Sequence, residues 1–222
     1  MAEKVTPKKI ITESGDYILS ETCSNGKSSV VYIADFLSAA ESSTLFDQIQ
    51  QQVTFESFTN TFDGVTELEP KQIAWYGEHP YTYGAVTHEP NMNWPSALQS
   101  IKTKLEEQIN CDLNSVLCNL YRDKHDYVSW HTDGEPELGL HPTIASVSLG
   151  ETRQFVLRRI NNNKENNDVT YTFPLCAGSL LVMKGATQQD WEHCILQETQ
   201  ECQPRINLTF RRIYPPNHTG TD

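Results

Sequence analysis

The chain has 222 residues, of which 37% are hydrophobic and 21% charged, enough for one globular domain with a sizeable core. Its formal net charge of −12 argues against broad, non-specific binding to nucleic acid, although a local basic strip is compatible with it. No apolar run approaches membrane-spanning length, and the N-terminal residues lack the apolar centre of a secretion signal. We therefore expect a protein of the nucleus, the cytoplasm or both, without a membrane partner.

Two helices are predicted in the N-terminal half. Residues 1–28 have few apolar positions and are expected to be flexible, and residues 28–37 predict a first strand. Ser38 and Glu41 then form a capping box ahead of apolar residues at helical spacing. A second helix is predicted to start near Pro95, a favoured first-turn residue. The apolar residues of the two helices are Leu45, Phe46, Ile49 and Val53, and Leu98, Ile101, Leu105 and Ile109.

After residue 113 the chain changes to short β-type runs separated by Gly, Pro, Asn and Asp. These runs are SVLCNLYR, DYVSWHTD, TIASVSL, RQFVLRR, VTYTFPL, GSLLVMKG and RINLTFRRIY. The stretch 161–168, NNNKENND, predicts a polar hairpin loop. The pattern predicts an α+β protein whose C-terminal half is a β-sandwich or barrel of jelly-roll type. We expect one domain over residues 29–215, followed by a flexible tail over 216–222.

The stretch SWHTDGE (129–135) places His131 and Asp133 two residues apart. Side chains at i and i+2 of a strand point to the same side, so an imidazole nitrogen and a carboxylate oxygen would project together. One more histidine would complete the 2-His-1-carboxylate face of non-heme Fe(II) oxygenases. His193 is the best choice, since it follows an apolar strand and lies where the chain leaves the core. An H-x-D pair alone is a weak pattern, and a surface pair or a core histidine is the alternative.

The run RINLTFR (205–211) alternates between an apolar and a polar face. Arg205 and Arg211, at its two ends, would lie about 20 Å apart on an extended strand. Their long side chains can bend inward and bind the two ends of a molecule with two carboxylates. Asn119 and Tyr121 share one side of another predicted strand and offer an amide and a phenol to the same ligand. The alternative for Arg205 and Arg211 is that they lie on an exposed edge strand and form ion pairs with nearby carboxylates. A metal triad beside a dicarboxylate pocket indicates 2-oxoglutarate. The polar face consists of Arg205, Asn207, Thr209 and Arg211.

Longer motifs carry a resemblance to a known family. They are EPKQIAWYGEHPYTYG (69–84), EPNMNWP (89–95), NLYRDKHDYVSWHTDGE (119–135), PTIASVSLGETRQFVLRR (142–159), GSLLVMKGATQQDWEHCI (178–195) and PRINLTFRRIYP (204–215). Together they resemble the AlkB family of Fe(II)/2-oxoglutarate dioxygenases, and the branch called AlkB homologue 3 looks closest. The resemblance implies a double-stranded β-helix (jelly-roll) core with the N-terminal helices packed outside.

The resemblance also implies residue roles and a reaction. In the family, 2-oxoglutarate and O₂ are converted to succinate and CO₂, while a methyl group on a base nitrogen leaves as formaldehyde. By position, His131, Asp133 and His193 look like the iron ligands and catalytic centre. Arg205 and Arg211 look like the partners of the 2-oxoglutarate carboxylates. The residues that look like further cofactor contacts are Asn119, Tyr121, Asn207 and Thr209.

A methylated base must leave its stack to reach the iron, and aromatic side chains then hold it. The resemblance implies that Tyr83 stacks on the base and that Glu135 contacts the base edge. Tyr81, in the same aromatic stretch, and Lys71 are further candidate substrate contacts, although some of the rings in this stretch are expected to be packing residues. Lys71 stands where the closest branch carries arginine, a departure that bears on substrate preference. Arg153, Arg158, Arg159, Lys102 and Lys104 are candidates for phosphate contacts or, equally, solvated charges.

We therefore expect a monomeric demethylase of 1-methyladenine and 3-methylcytosine in single-stranded DNA or RNA, with protein partners left open. The acidic composition favours a small footprint, and unstacking costs less in a single strand. One alternative is the same chemistry on another substrate, such as N6-methyladenine in RNA or a protein side chain. The other is a binding module that has lost catalysis, against which the complete triad and both arginines argue.

Overall fold

The computed structural model describes residues 9–23, 25–62, 65–83, 86–160 and 170–215, and the predicted loop at 161–168 and tail at 216–222 lie outside these residues. The helices in the described part are α1 (Ala39–Gln52), α2 (Ser96–Ile109) and the short α3 (Thr187–Asp190). The first eight strands are β1 (Lys9–Ile10), β2 (Gly15–Cys23), β3 (Gly26–Ile33), β4 (Thr59–Phe62), β5 (Val65–Leu68), β6 (Gln72–Gly77), β7 (Tyr81–Tyr83) and β8 (Val86–His88). The following strands are β9 (Ser115–Tyr121), β10 (Val128–His131), β11 (Ile144–Gly150), β12 (Arg153–Arg159), β13 (Thr170–Leu175), β14 (Leu180–Gly185), β15 (Trp191–Ile195) and β16 (Arg205–Arg211).

Two sheets form the core. A seven-stranded sheet has the order β2-β3-β14-β11-β16-β9-β6, and a five-stranded sheet has the order β1-β13-β12-β15-β10. Apolar side chains of β3, β9, β11 and β14 pack against those of β12, β13 and β15, so the two sheets face each other. The hairpins β4–β5 and β7–β8 form separate two-stranded sheets. This is the jelly-roll core that the sequence predicts.

Helices α1 and α2 cover the outer face of the seven-stranded sheet, as predicted. The capping box at the start of α1 is present, with the Ser38 backbone N–H donating to Glu41 Oε2 at 2.8 Å and the Glu41 N–H donating to Ser38 Oγ at 3.3 Å. The hydrogen bonds that Glu41 Oε2 accepts from the Ser38 backbone N–H and from the Ser38 hydroxyl, with Lys104 nearby, lower the pKa of Glu41 to about 2. The buried residues Ile49 and Leu98 bring the apolar faces of the two helices onto the sheet. No helix in the described ranges is long and apolar enough to cross a membrane.

Strand β16 explains how a polar face can lie inside the fold. The strand is in the interior of the larger sheet, with β11 on one side and β9 on the other, so the alternative of an exposed edge strand is wrong. Ile206, Leu208 and Phe210 pack into the cluster that includes the helices. The alternating polar residues of β16 therefore point toward the five-stranded sheet.

The prediction of a flexible segment over residues 1–28 is wrong where the structure describes strands. β2 pairs antiparallel with β3, and β1 pairs parallel with β13, with Ile11 and Leu19 buried. The two sheets therefore include residues before position 29. Few apolar residues mark this segment, and its pairing with distant strands supplies the order that local composition does not indicate.

Candidate active site

Three candidate metal ligands converge between the sheets. β10 and β15 pair antiparallel so that His131 lies opposite His193, with ring centroids 4.2 Å apart. The ligand atoms of His131, Asp133 and His193 all lie within 4.8 Å of one another. His131 Nδ1 is 2.9 Å from the Ser129 carbonyl oxygen, and as the donor in that bond it leaves the Nε2 lone pair free for a metal. One divalent ion can therefore be held by two nitrogens and one oxygen.

Asp133 reaches this point by a different route from the one predicted. β10 ends at His131, so Asp133 lies in the loop that follows and not on a shared strand face. Arg211 Nη2 donates to Asp133 Oδ2 at 2.7 Å, and the Asp133 backbone N–H donates to Gln188 Oε1 at 2.9 Å. The position of the carboxylate therefore depends on β16 and α3 as well as on its own loop.

The electrostatics give these groups the protonation states that a divalent cation requires. Burial, the largest single influence, would raise the pKa of Asp133, but the charges of Arg211, His193 and His131 and the hydrogen bond from Arg211 together outweigh burial and lower that pKa below its usual value. Burial also lowers the pKa of His193 to about 3, with a further contribution from His131. An ionised carboxylate and a neutral imidazole can bind a metal without first losing protons.

Arg205 lies on the same face of β16, at the other end of the cavity. Its side chain is fully buried, and Nη2 donates to Ser148 Oγ at 2.9 Å. Nε and Nη1 are buried without a hydrogen-bond partner among the described residues. Burial lowers the pKa of Arg205 to about 10, while the neighbouring Tyr121 phenol favours the charged form. A buried guanidinium with two unused donor atoms is a binding site for an anion such as a carboxylate.

One cavity joins the two ends. Its polar lining includes every residue predicted to bind iron or 2-oxoglutarate, and its other walls are largely apolar. Ser146, on β11, was missed by the sequence reasoning, although Ser146 and Ser148 alternate with apolar residues in TIASVSL and so share a polar face. The predicted residues in the lining are His131, Asp133, His193, Asn119, Tyr121, Arg205, Asn207, Thr209 and Arg211.

The two arginines of β16 are not equivalent. The sequence predicts one carboxylate of the ligand for each, but Arg211 already forms an ion pair with Asp133. Its Nε is buried without a partner in the described part of the chain, so one donor atom of Arg211 remains for a ligand. Within the described ranges no carboxylate hydrogen-bonds to Arg205, which makes Arg205 the stronger candidate for a carboxylate site. A direct role of Arg211 toward 2-oxoglutarate stays a prediction.

The aromatic residue Tyr81 is a packing and positioning residue in this structure. Its ring is fully buried and stacks on Trp75, with ring centroids 4.7 Å apart and an interplanar angle of 19°. Its hydroxyl donates to Glu135 Oε1 at 2.9 Å, while Glu135 Oε2 is buried without a partner within the described ranges. Burial, and then the charge of Asp133, raise the pKa of Glu135. Tyr81 therefore orients the carboxylate that was predicted to contact the base edge.

Lys71 and Tyr83 are the other two predicted substrate contacts. Lys71 lines the cavity and is 2% exposed, with Nζ 3.6 Å from a Glu69 carboxylate oxygen. Burial lowers the pKa of Lys71, and the charge of Glu69 acts in the opposite direction. The side chain of Tyr83, the predicted base-stacking residue, lies outside the part that the structure describes.

Arg153 is neither a phosphate contact nor a solvated charge, the two alternatives that the sequence left open, because its side chain is 1% exposed. It donates to the carbonyl oxygens of Asp126 at 2.6 Å and Leu196 at 2.7 Å, and pairs with Glu198 at 3.2 Å. Arg153 therefore joins a loop to the end of β15. The other candidates lie on the surface or near it. Arg158 pairs with Glu192, Lys102 with Glu106 and Lys104 with Glu41, and Arg159 is at the exposed end of β12.

Arg153→Met is expected to lower the free energy of unfolding by about 2–3 kcal/mol, because the buried carbonyl of Asp126, the partly buried carbonyl of Leu196 and the Glu198 carboxylate lose a cationic donor. Arg159→Met, on the exposed end of the same strand, is the matched control and should change it by less than about 0.5 kcal/mol. Urea unfolding of both variants measures the difference. Equal stabilities would contradict the structural role of Arg153.

Two facing sheets with a 2-His-1-carboxylate cluster between them define the class of Fe(II)/2-oxoglutarate oxygenases. The family model described as the 2OG-Fe(II) oxygenase superfamily matches residues 29–211. Two similar proteins are named alpha-ketoglutarate-dependent dioxygenase alkB homolog 3. The protein from Bos taurus is 43% identical over 211 residues, and that from Homo sapiens is 42% identical over the same length; each match covers 93% of this chain and 73% of the relative.

More distant relatives agree with this assignment. The human protein named DNA oxidative demethylase ALKBH2 is 32% identical over 184 residues, covering 78% of this chain and 69% of that protein. The structure titled OsALKBH1 has a TM-score of 0.56 at 17% identity, covers 82% of this chain and 97% of its own, and supports the fold alone. The chain belongs to the AlkB family of the 2OG-Fe(II) oxygenase superfamily. It is thus a dioxygenase of a family that uses Fe(II) and 2-oxoglutarate, and the donor set described above fits both groups.

Proposed function

We propose that this chain is an oxidative demethylase that removes N-linked methyl groups, as in 1-methyladenine and 3-methylcytosine, from single-stranded DNA or RNA. The observation that carries the proposal is the shared cavity, which has three clustered candidate metal ligands near one end and a buried, incompletely bonded arginine at the other. The relative named DNA oxidative demethylase ALKBH2 supports the substrate class. We further propose that the protein acts as a monomer in the nucleus or cytoplasm.

Different residues of the cavity would bind iron and 2-oxoglutarate. His131 and His193 would hold iron through neutral imidazole nitrogens, and Asp133 would use Oδ1, because Oδ2 accepts from Arg211. Arg205 would bind a carboxylate of 2-oxoglutarate with the Tyr121 phenol beside it. When bound, iron supplies the oxidation in which 2-oxoglutarate and O₂ give succinate and CO₂ and the methyl group leaves as formaldehyde.

The walls of the cavity keep the ligands in place and limit water. Phe155 stacks on the ring of His193, with centroids 5.1 Å apart and an interplanar angle of 28°. This contact, together with the neighbouring ring of His131, restricts rotation of the His193 imidazole. Val128 and Ile195 add apolar surface near the same histidine. A largely apolar wall strengthens the charge interactions inside the cavity.

Glu135 supplies a contact for the base. Tyr81 holds Oε1, and the buried Oε2 is left for the exocyclic amino group of a flipped base or for the positive charge of a methylated ring. The net charge of −12 supports a small contact area with phosphates. A single-stranded substrate is favoured because its bases leave the stack at lower cost.

The test measures formaldehyde and succinate released from short oligonucleotides in the presence of Fe(II), 2-oxoglutarate and O₂. The panel contains 1-methyladenine or 3-methylcytosine in single-stranded DNA, single-stranded RNA and duplex DNA, with unmethylated strands as controls and N6-methyladenine RNA as the alternative. We expect both products in equal amounts from methylated single strands, and slower release from duplex. Turnover of N6-methyladenine alone, or much faster turnover of duplex, would contradict the proposed substrate.

A further inference from the structure

Gln188 touches the loop that carries Asp133 and lies outside the set of candidate cofactor and substrate residues. Its side chain is 4% exposed, and Oε1 accepts a hydrogen bond from the Asp133 backbone N–H at 2.9 Å. Because a backbone N–H can only donate, the atom facing it must be the amide oxygen, which fixes the orientation of the amide. Nε2 then points to Met183 Sδ, 3.3 Å away, at the wall of the cavity.

Gln188 lies in the segment that leads into one of the strands carrying a candidate metal ligand. Gln188 belongs to α3, which follows β14 and leads directly into β15, the strand that carries His193. Asp133 instead follows the end of β10 and has no regular secondary structure of its own. The hydrogen bond from Asp133 to Gln188 therefore links the loop of one candidate ligand to the segment that carries another.

Two contacts together determine where the Asp133 carboxylate points. Arg211 holds Oδ2 at 2.7 Å, and Gln188 holds the main chain of the same residue. With only the Arg211 contact, the carboxylate can swing about Oδ2 as the loop shifts, and Oδ1 loses its fixed relation to the histidines. With both contacts, Oδ1 stays directed at the point shared with His131 and His193.

We propose that Gln188 is a positioning residue for the metal site, which acts by fixing the main chain of Asp133. The inference rests on the proposed iron site and is independent of which base is demethylated. Partners outside the ligand set that orient a metal ligand typically contribute 10–100-fold to metal affinity. Gln188 is therefore expected to change metal binding more than it changes stability.

The experiment measures Co(II) binding to the metal-free protein by titration calorimetry, without nucleic acid and without turnover. Gln188→Met keeps the length of the side chain and removes the acceptor, whereas Gln188→Glu keeps an acceptor oxygen. Gln189→Met is the matched control, because this neighbour on α3 donates to the Leu140 carbonyl and does not touch Asp133. Thermal unfolding of each metal-free variant is recorded in parallel.

We expect Gln188→Met to bind Co(II) roughly 10–100-fold more weakly than the wild type. Gln188→Glu should recover most of that loss, and Gln189→Met should match the wild type. Wild-type affinity in Gln188→Met, or a Gln188→Glu variant as weak as Gln188→Met, would overturn the positioning role and leave the iron site standing. A wild-type protein whose Co(II) binding does not depend on His131 would overturn the proposed site and this inference together.

Discussion

His131→Ala is expected to abolish demethylation while leaving the melting temperature close to that of the wild type. The imidazole is one of the three candidate ligands, and an Fe(II) site reduced to two protein ligands loses its facial geometry. The side chain is 30% exposed, so its removal leaves little buried space unfilled. Formaldehyde release at saturating substrate and thermal unfolding measure the two effects. His125→Ala, at an exposed turn, is the matched control and should retain full activity.

Asp133→Ala is expected to be inactive as well, but it should also unfold more easily. From the sequence alone this variant is predicted to leave the fold intact. In the structure the carboxylate is the ion-pair partner of Arg211, and both side chains are buried. Removing one member of a buried pair leaves an uncompensated charge and destabilises by about 3–5 kcal/mol. A double variant, Asp133→Ala with Arg211→Met, should recover much of the stability and none of the activity.

Two results would contradict this account of the metal site. Full activity in either single variant would exclude the altered residue as an iron ligand. Equal melting temperatures for Asp133→Ala and His131→Ala would show that the Asp133–Arg211 ion pair does not support the fold. These outcomes are separable because one is read from product release and the other from unfolding of the metal-free protein.

Arg205→Met is expected to weaken 2-oxoglutarate binding by roughly 100-fold or more, about 3 kcal/mol, because a charge-assisted pair with a carboxylate is lost. Stability should be unchanged or higher. Arg205 is a buried cation with two unsatisfied donors, and an apolar side chain of similar length removes that penalty. A variant that loses cofactor affinity without losing stability distinguishes a binding residue from a structural one.

Titration of 2-oxoglutarate into the Mn(II)-loaded protein, in the absence of O₂, measures the affinity. Arg212→Met is the matched control, since Arg212 follows β16 directly and pairs at the surface with Asp112 at 3.0 Å. The control should bind 2-oxoglutarate as the wild type does. An unchanged affinity in Arg205→Met would exclude this arginine as the carboxylate partner.

Local patterns in the sequence predicted the features that depend on local physics. The capping box of Ser38 and Glu41 predicted the start of α1, and Pro95 predicted the start of α2 within one residue. The alternation of β16 predicted which residues turn toward the cavity, because a strand has a side-chain period of two whatever its neighbours are. The same rule placed Asn119 and Tyr121 together on β9.

Features that depend on the meeting of distant segments could not be predicted in the same way. Asp133 was placed on a strand by its spacing from His131, but the strand ends first, and the hydrogen bonds that Asp133 donates to Gln188 and accepts from Arg211 set its position. Arg153 was indistinguishable from a surface arginine until the carbonyls around it were known. Tyr81 is likewise enclosed by Trp75, a contact fixed by tertiary packing.

Anomalous diffraction at the iron edge, from crystals grown with Fe(II) and 2-oxoglutarate without O₂, would locate the metal and the cofactor in the cavity. We expect one strong peak at coordination distance from a nitrogen of His131, a nitrogen of His193 and Asp133 Oδ1, with density for a dicarboxylate extending to Arg205. An active protein whose iron peak lies elsewhere, or whose 2-oxoglutarate does not reach Arg205, would contradict the proposed site.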